Sequence, residues 1–476
     1  MTLHIPFDNS YARLPAALFT RHDPTPVAAP EMLAWNAPLA RELGITGDDA
    51  TAPTATERAA IFAGNRLPNG ALPLAQAYAG HQFGGFSPSL GDGRAILLGE
   101  VIDTKGQRRD IQLKGAGRTP YSRAGDGRAW LGPVLREYVV SEAMHALGVP
   151  TTRALAAVAS GESVQRETTL PGAILTRVAS SHLRVGHFEY FAARGDTASL
   201  SALYDHAVER HHPEARDPLD FLKGVIERQS DLVAKWLGFG FIHGVMNTDN
   251  TSISGETIDY GPCAFMDGYH PQTVYSSIDR QGRYAYDNQA RILPWNMAKL
   301  GSALLALMPD PDAAIDPFTQ AVHAMPEMIE ARWLKTFAAK IGIAEPRAED
   351  RALIEDLLTL MQAGSSDFTN TFRALPGNEA QDQIADREGF LGWVGRWHAR
   401  LESEPDAPVL MARSNPAVIP RNHRIEQMIA AAVDGDMAPF RNLMAALATP
   451  YARPDDPGLT TPPAEHEVVT ATFCGT

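Results

Sequence analysis

HGVMNTDNTSISGETIDYG, running from His243 to Gly261, gathers oxygen-bearing side chains suited to a divalent cation. Asp249 and Asn250 are neighbours, and Asp259 stands directly before Tyr260-Gly261. Carboxylate and carboxamide oxygens are hard ligands, and Mg²⁺ in particular takes one or two of them and completes its shell with phosphate and water. The residues between Asn250 and Asp259 read as a short β-hairpin. Taken alone, Asp249-Asn250 reads as a turn, since Asx residues favour turns. Asp259, placed after a strand and before Tyr-Gly, is the more specific signal.

Working outward, DFLKGVIERQSDLVAKWLG (Asp220–Gly238) places Leu222, Val225, Ile226, Leu232, Val233, Trp236 and Leu237 at helical spacing and stops at a glycine. Further upstream, GPVLREYVVSEAMHALG predicts a helix, with Pro133 in its first turn and Gly148 at its end. Strands are predicted at Arg94–Val101 and Arg109–Lys114. In the second, Ile111 and Leu113 share one face and Gln112 and Lys114 the other. Thr152–Ala159 and Ser163–Glu167 read as a hairpin turning at Ser160-Gly161-Glu162, and Ala173–Arg177 as another strand. Downstream, LPWNMAKLGSALLALM predicts a helix starting behind Pro294, with its Met and Leu residues in the core. Helices joined by Pro-rich loops follow to about residue 450.

The expected architecture is α+β. The Pro- and Ala-rich residues 1–75 form an extension packed on the rest. Residues 76–188 form a small β-rich lobe with one helix. Residues 189–450 form a larger, mainly helical lobe carrying the metal motif, and 451–476 a loop-like tail with Cys474.

Of the 476 residues, 44% are hydrophobic and 21% charged, as in an ordinary globular protein. The net charge of -14 argues against nucleic-acid binding. No apolar run approaches 18 residues and the start lacks a signal-peptide pattern, so no membrane span is expected and a cytoplasmic location is. Two cysteines exclude a disulfide framework and a four-cysteine zinc site. A monomer is expected.

A strand lysine, a helix glutamate and a later pair of metal-binding groups form a known arrangement for handling ATP. Lys114, Glu137, Asp249, Asn250 and Asp259 occur in that order on the right kinds of element. The lysine neutralises phosphate, the glutamate holds the lysine, Asn250 and Asp259 hold the metal, and Asp249 accepts the proton of the attacking hydroxyl. Asp259-Tyr260-Gly261 resembles the kinase Asp-Phe-Gly. Other details depart from ordinary kinases. There is no His-Arg-Asp with an asparagine five residues beyond, and SLGDGRA supplies Gly91 and Gly93 without a full G-x-G-x-x-G. A second glycine-rich segment, KGAGRTPYSRAGDGRAWLG, follows the lysine and carries Arg118, Arg123, Asp126 and Gly127. Its glycines let backbone N–H groups approach an anion. Several residues have plain readings: Arg94, Arg118 and Arg123 as surface charges, Glu142 as a solvated helix position, His211-His212 as a polar loop, and Cys263 as a small buried hydrophobe.

The segments QLKGAGRTPYSRAGDGRA, LREYVVSEAMHALGVPTTRALA, HGVMNTDNTSISGETIDYGP and SNPAVIPRNHRIEQ together closely resemble the selenoprotein O family over nearly the whole chain. The resemblance implies a protein-kinase-like fold that binds ATP in a flipped orientation and transfers AMP to protein hydroxyls of Ser, Thr or Tyr. Mg²⁺ or Mn²⁺ is the implied metal, and UMP from UTP is a possible alternative cargo. It further implies that Gly91, Gly93, Arg94, Asp126 and Gly127 line the nucleotide and that Lys114, paired with Glu137, contacts phosphate. Arg177 and Arg184 would grip the polyphosphate, Asn250 and Asp259 would bind metal, and Asp249 would be the base. Cys474 resembles the family's C-terminal cysteine. In the family a cysteine in the segment after Asp-Tyr-Gly can bond to it; HPQTVYSSIDRQGRY contains none, which leaves Cys263. Two other readings stay open: a γ-phosphotransferase of the ordinary kinase type, and a non-catalytic ATP-binding scaffold.

Overall fold

A computed structural model of the protein describes residues 3–46 and 54–472. Its strands are β1 (Phe19–Arg21), β2 (Glu31–Trp35), β3 (Leu74–Gln76), β4 (Gly80–Gln82), β5 (Gly85–Ser87), β6 (Ala95–Ile102), β7 (Arg108–Lys114), β8 (Ala129–Trp130), β9 (Arg153–Gln165), β10 (Thr169–Ala179), β11 (Phe241–Ile242) and β12 (Ala264–Phe265). The main sheet runs β1-β3-β6-β7-β10-β9-β2, with β8 paired to β10. Its pairings are antiparallel.

The alternation read in β7 decides how this sheet is covered. Ile111 and Leu113 enter a core with Ile96, Leu98, Leu155 and the helical residues Leu39 and Phe62 from the first 75 residues. Gln112 and Lys114 therefore face the other way, toward the helix Leu131–Ala146. That helix buries Leu135, Tyr138, Val139 and Ala143 in the largest core, together with Val225, Ile226, Leu300 and Ile425 from helices later in the chain. Each large apolar side chain so buried contributes about 1.5–3 kcal/mol. A further core forms among the helices Pro311–Lys340, Asp350–Ala363 and Arg387–Leu401. The chain thus has the expected α+β class: an antiparallel sheet with one long helix, then a mainly helical half, in the order of a kinase-like fold. Among the described residues no helix is long and apolar enough to cross a membrane.

Four local expectations need correction. The first 75 residues do more than pack on the sheet, since β1 and β2 form its two opposite edges. The hairpin expected at Ser160–Glu162 does not turn there. β9 runs through, and Gly161, at φ +70°, makes a kink in the left-handed region instead. Beside the β2–β9 ladder, Ala29 N–H bonds the Ser160 carbonyl at this kink. The reversal comes later, where Arg166 N–H reaches Thr168 O. No hairpin forms between Asn250 and Asp259 either. Ser252 bridges to Arg184 and Thr257 to Thr151, so this segment is pinned to two different partners rather than to itself. Finally, Pro294 lies inside a helix spanning Gln289–Leu304 and does not begin it.

Two plain readings also fail because tertiary partners were invisible. Glu142 is not solvated: it accepts Arg153 Nε at 2.7 Å and Nη2 at 2.8 Å, Ala154 N–H at 2.9 Å and Asn36 Nδ2 at 2.8 Å. His211 and His212 are buried; His211 ends the helix Thr197–His211 and its Nε2 meets Ser181 Oγ at 2.7 Å. Cys263 is fully buried, as its plain reading had it. Cys474 lies outside the described residues.

Candidate active site

Period-two alternation aims Lys114 away from the hydrophobic face of β7. Its Nζ meets Glu137 Oε2 at 2.5 Å and Asp259 Oδ1 at 3.0 Å. Glu137 projects from the helix laid across this face and is itself buried. β10 runs beside β7 with Arg177 opposite Gln112. Arg177 donates Nε and Nη2 to Gln112 Oε1 at 3.2 and 2.5 Å. Its Nη1 reaches Asp259 Oδ1 at 2.5 Å and Glu137 Oε1 at 3.3 Å. Arg184 lies just past the end of β10, at the start of the helix Val185–Ala192. Its Nη1 donates to Asp259 Oδ2 at 2.7 Å and to the Asp249 carbonyl at 2.8 Å, and its guanidinium stacks on Tyr78 at 4.8 Å.

Three cations thus converge on one carboxylate. Arg177 is 2% exposed and Arg184 3%, so neither charge can rely on water, and each needs a fixed anion. Burial alone would raise the Asp259 pKa, but Arg184, Lys114 and Arg177 outweigh it and hold the carboxyl well below the usual range. Asp259 sits at φ +61°, a left-handed conformation that costs a non-glycine residue about 1–2 kcal/mol. The three ion pairs hold it there, and such strain is characteristic of functional sites.

Asp249 lies in the short 3₁₀ turn Thr248–Asn250. One carboxylate oxygen, Oδ2, accepts from Gln82 Nε2 at 3.0 Å. The other, Oδ1, is buried with no hydrogen-bond partner among the described residues. Burial pushes its pKa up to about 6, against the opposing effects of Gln82 and Arg184. A carboxylate of that basicity with one oxygen unengaged is suited to accept a proton near neutral pH. Gly80 packs directly on it: a Cβ there would lie 2.7 Å from Asp249 Oδ1.

Lys114, Glu137, Arg177, Arg184, Asp249, Asn250 and Asp259 line one cleft of about 860 Å³. Every residue selected from the sequence for a nucleotide, metal or catalytic role is on its wall, as is Arg123. Arg118 is not on that wall; its Nη2 donates to the Arg123 carbonyl at 3.1 Å. At Gly91, φ +64°, a Cβ would fall 2.3 Å from the Tyr121 ring, and at Gly127, φ +71°, 2.1 Å from the Gly117 carbonyl. Both loops therefore need glycine to pack as tightly as they do. Asp126 is fixed by Arg166, whose Nη1 reaches it at 2.8 Å.

The donor set fits a hard divalent ion. Asn250 uses its Nδ2 on the Val245 carbonyl at 2.9 Å, which leaves its amide oxygen as the available ligand atom in the cleft that Asp259 also lines. Among the described residues no cluster of three His, Cys, Asp or Glu forms a self-sufficient metal cage. Two oxygen ligands suit an ion that draws its remaining ligands from phosphate and water.

Sequence reasoning missed the supports of this site. Asp92, in the SLGDGRA turn, is buried, accepts Gln76 N–H at 3.0 Å and Gln112 Nε2 at 3.2 Å, and is pushed up to about 6 by burial. Gln82 sits at the tip of the β4–β5 hairpin, which is tied down where His81 N–H donates to Thr248 Oγ1 at 2.7 Å. Thr248 in turn donates to Glu189, and His81 Nδ1 lies 2.5 Å from the same carboxylate. The Gly-Gly pair of HQFGGFS was the available signal, but it lacks the Asn-Gly that marks such hairpins.

The family described as Protein adenylyltransferase SelO matches residues 1–448 of this chain. The chain belongs to the SelO family. Relatives in Roseobacter denitrificans and in Ruegeria sp. strain TM1040, each named Protein nucleotidyltransferase YdiU, are 62% identical over the full length of both chains. A third of that name, in Ruegeria pomeroyi, is 61% identical over the same extent. As a member of the SelO family the chain is a nucleotidyltransferase, an enzyme that takes a nucleotide substrate. The cleft described above gathers Lys114, Arg177 and Arg184 on one wall.

Proposed function

We propose that this SelO-family enzyme transfers AMP from ATP to Ser, Thr or Tyr hydroxyls of other proteins and releases pyrophosphate. The convergence of Lys114, Arg177 and Arg184 on Asp259 carries the reading. Two buried guanidinium groups and an ammonium supply enough fixed charge to hold a departing diphosphate, and guanidinium suits bidentate phosphate contact. If the β- and γ-phosphates occupy that position, the α-phosphorus is the atom left toward the cleft mouth. The direction of transfer itself comes from the family.

In this reading Lys114, Arg177 and Arg184 bind the β- and γ-phosphates, and Glu137 orients the lysine. Gly91, Gly93, Arg94, Asp126 and Gly127 line the nucleotide. Asn250 and Asp259 hold Mg²⁺ or Mn²⁺, which offsets phosphate charge when bound. The acceptor hydroxyl oxygen attacks the α-phosphorus, the bond from that phosphorus to the oxygen bridging to the β-phosphate breaks, and Asp249 takes the hydroxyl proton.

The test compares α- and γ-labelled ATP on a panel of cell proteins with Mg²⁺ or Mn²⁺, with α-labelled UTP run alongside. Label from the α position, lost in Asp259→Ala, is expected. Transfer of the γ label would instead identify a phosphotransferase, and tight ATP binding with no transfer of either label a scaffold.

A further inference from the structure

The β4–β5 hairpin presents its tip to the cleft beside Asp249. Its turn residues Phe83 and Gly84 both have positive φ, +50° and +87°, the pattern of a type I′ turn. Asparagine or glycine normally fills the first of these positions, and a phenylalanine there is strained. It is held by its N–H, which donates to Asn247 Oδ1 at 3.1 Å, and by a tilted ring contact with Tyr284 at 5.0 Å. Despite those contacts the Phe83 side chain is 37% exposed and lines the cleft mouth. Ile278, 60% exposed, lines the same cleft. Both are large apolar side chains exposed on the wall of a cleft that charged groups also line.

A cation stands beside the Phe83-Gly84 turn. Arg283 stacks on Trp295 at 5.1 Å and on Tyr284 at 5.7 Å, next to Gly84. Its Nε is buried and has no hydrogen-bond partner among the described residues. Gln82, the residue before Phe83, is bonded to Asp249, so this turn stands next to the proposed base.

We infer that Phe83, Ile278 and Arg283 form the acceptor-docking lip. An extended segment of the protein substrate binds there with an apolar side chain near its hydroxyl residue covering Phe83 and Ile278 and an acidic one reaching Arg283. The lip sets which hydroxyls are modified, and Phe83 is its specificity-determining residue. The inference rests on the acceptor reading proposed above, and its test is separable from that reading.

The experiment uses the full chain and two synthetic dodecapeptides with the same central Tyr, one flanked by Leu and Asp, the other by Gly and Lys. Each is assayed with α- and γ-labelled ATP, and the KM for peptide is read on whichever label moves. The wild type is expected to favour the Leu/Asp peptide by tenfold or more in KM. Phe83→Asn is the decisive variant, because Asn-Gly suits a type I′ turn and the hairpin should fold at least as well. It is expected to erase that preference while the KM for ATP moves less than twofold and the thermal midpoint does not fall. Arg283→Gln should remove the contribution of Asp alone. Equal KM values for the two peptides in the wild type, or a preference that survives Phe83→Asn, overturn the lip. Failure to label either peptide overturns it too, while the cell-protein assay decides the transfer chemistry independently.

Discussion

Arg184 and Asp259 are joined by a 2.7 Å ion pair whose donor nitrogen also holds the Asp249 carbonyl. One guanidinium therefore ties the backbone carrying the proposed base to the side chain proposed to hold metal. It also means that Asp259 serves as the counter-ion of three cations, the part that phosphate oxygens are suited to play.

Replacing Arg184 by Met should weaken ATP binding by about 2–4 kcal/mol, roughly 30- to 1000-fold, since it removes one partner of a buried charge pair. Arg184→Lys should recover only part of this, because an ammonium on a shorter reach cannot reproduce the planar donor geometry. Calorimetric titration with ATP checks both, and an unchanged affinity in Arg184→Met would rule out a phosphate-binding role.

Asp249 carries a pH prediction. Its carboxyl ionises near 6 in the native chain, above its ordinary value of 3.8. Between those pH values the folded protein keeps a proton that the unfolded chain releases. The stability from this group is thus present at acid pH and lost as pH rises toward 6. Asp249→Asn should be more stable than wild type above pH 6, by about 2–3 kcal/mol, and equal to it below pH 4. It should also lose transfer activity, while the wild-type rate rises through pH 6 as the base ionises. Thermal melts and a pH–rate profile read the two effects separately.

Gly80 tests positioning without removing a titrating group. A methyl placed 2.7 Å from Asp249 Oδ1 must displace the carboxylate. Gly80→Ala should lower kcat about 100-fold or more, since misplacements of about 1 Å cost that much, and leave the ATP dissociation constant within about twofold. A proportional loss of both would show a general collapse of the cleft.

How much of this was legible differs residue by residue. Lys114 and Glu137 could be read because strand alternation and helix spacing are local, and Asp259 because Tyr-Gly follows it. Arg177 looks like any strand arginine, and only the pairing of β10 with β7 puts it opposite Gln112. Asp92 reads as a turn between glycines and is buried by strands on either side of it in the chain. The hairpin expected after Asn250 failed because Ser252 and Thr257 found partners about 70 and 100 residues away, at Arg184 and Thr151, which no local pattern encodes.

Glu142 makes the same point as a stability measurement. It accepts a fork from Arg153 and two further bonds, and none of these residues lines the cleft. Glu142→Ala should lower stability by about 3 kcal/mol, as loss of one partner of a mostly buried pair does, with kcat unchanged. Urea denaturation beside steady-state assays provides the check.

Near the far end of the described chain, Thr472 donates its Oγ1 to the Pro262 carbonyl at 2.6 Å, one residue past Tyr260-Gly261, across a separation of 210 residues. At about 5–20 residues per second of synthesis, that contact waits roughly 10 to 40 seconds after Pro262 has been made. The flank of Asp259-Tyr260-Gly261 therefore settles later than its own neighbours in sequence as the newborn polypeptide leaves the ribosome.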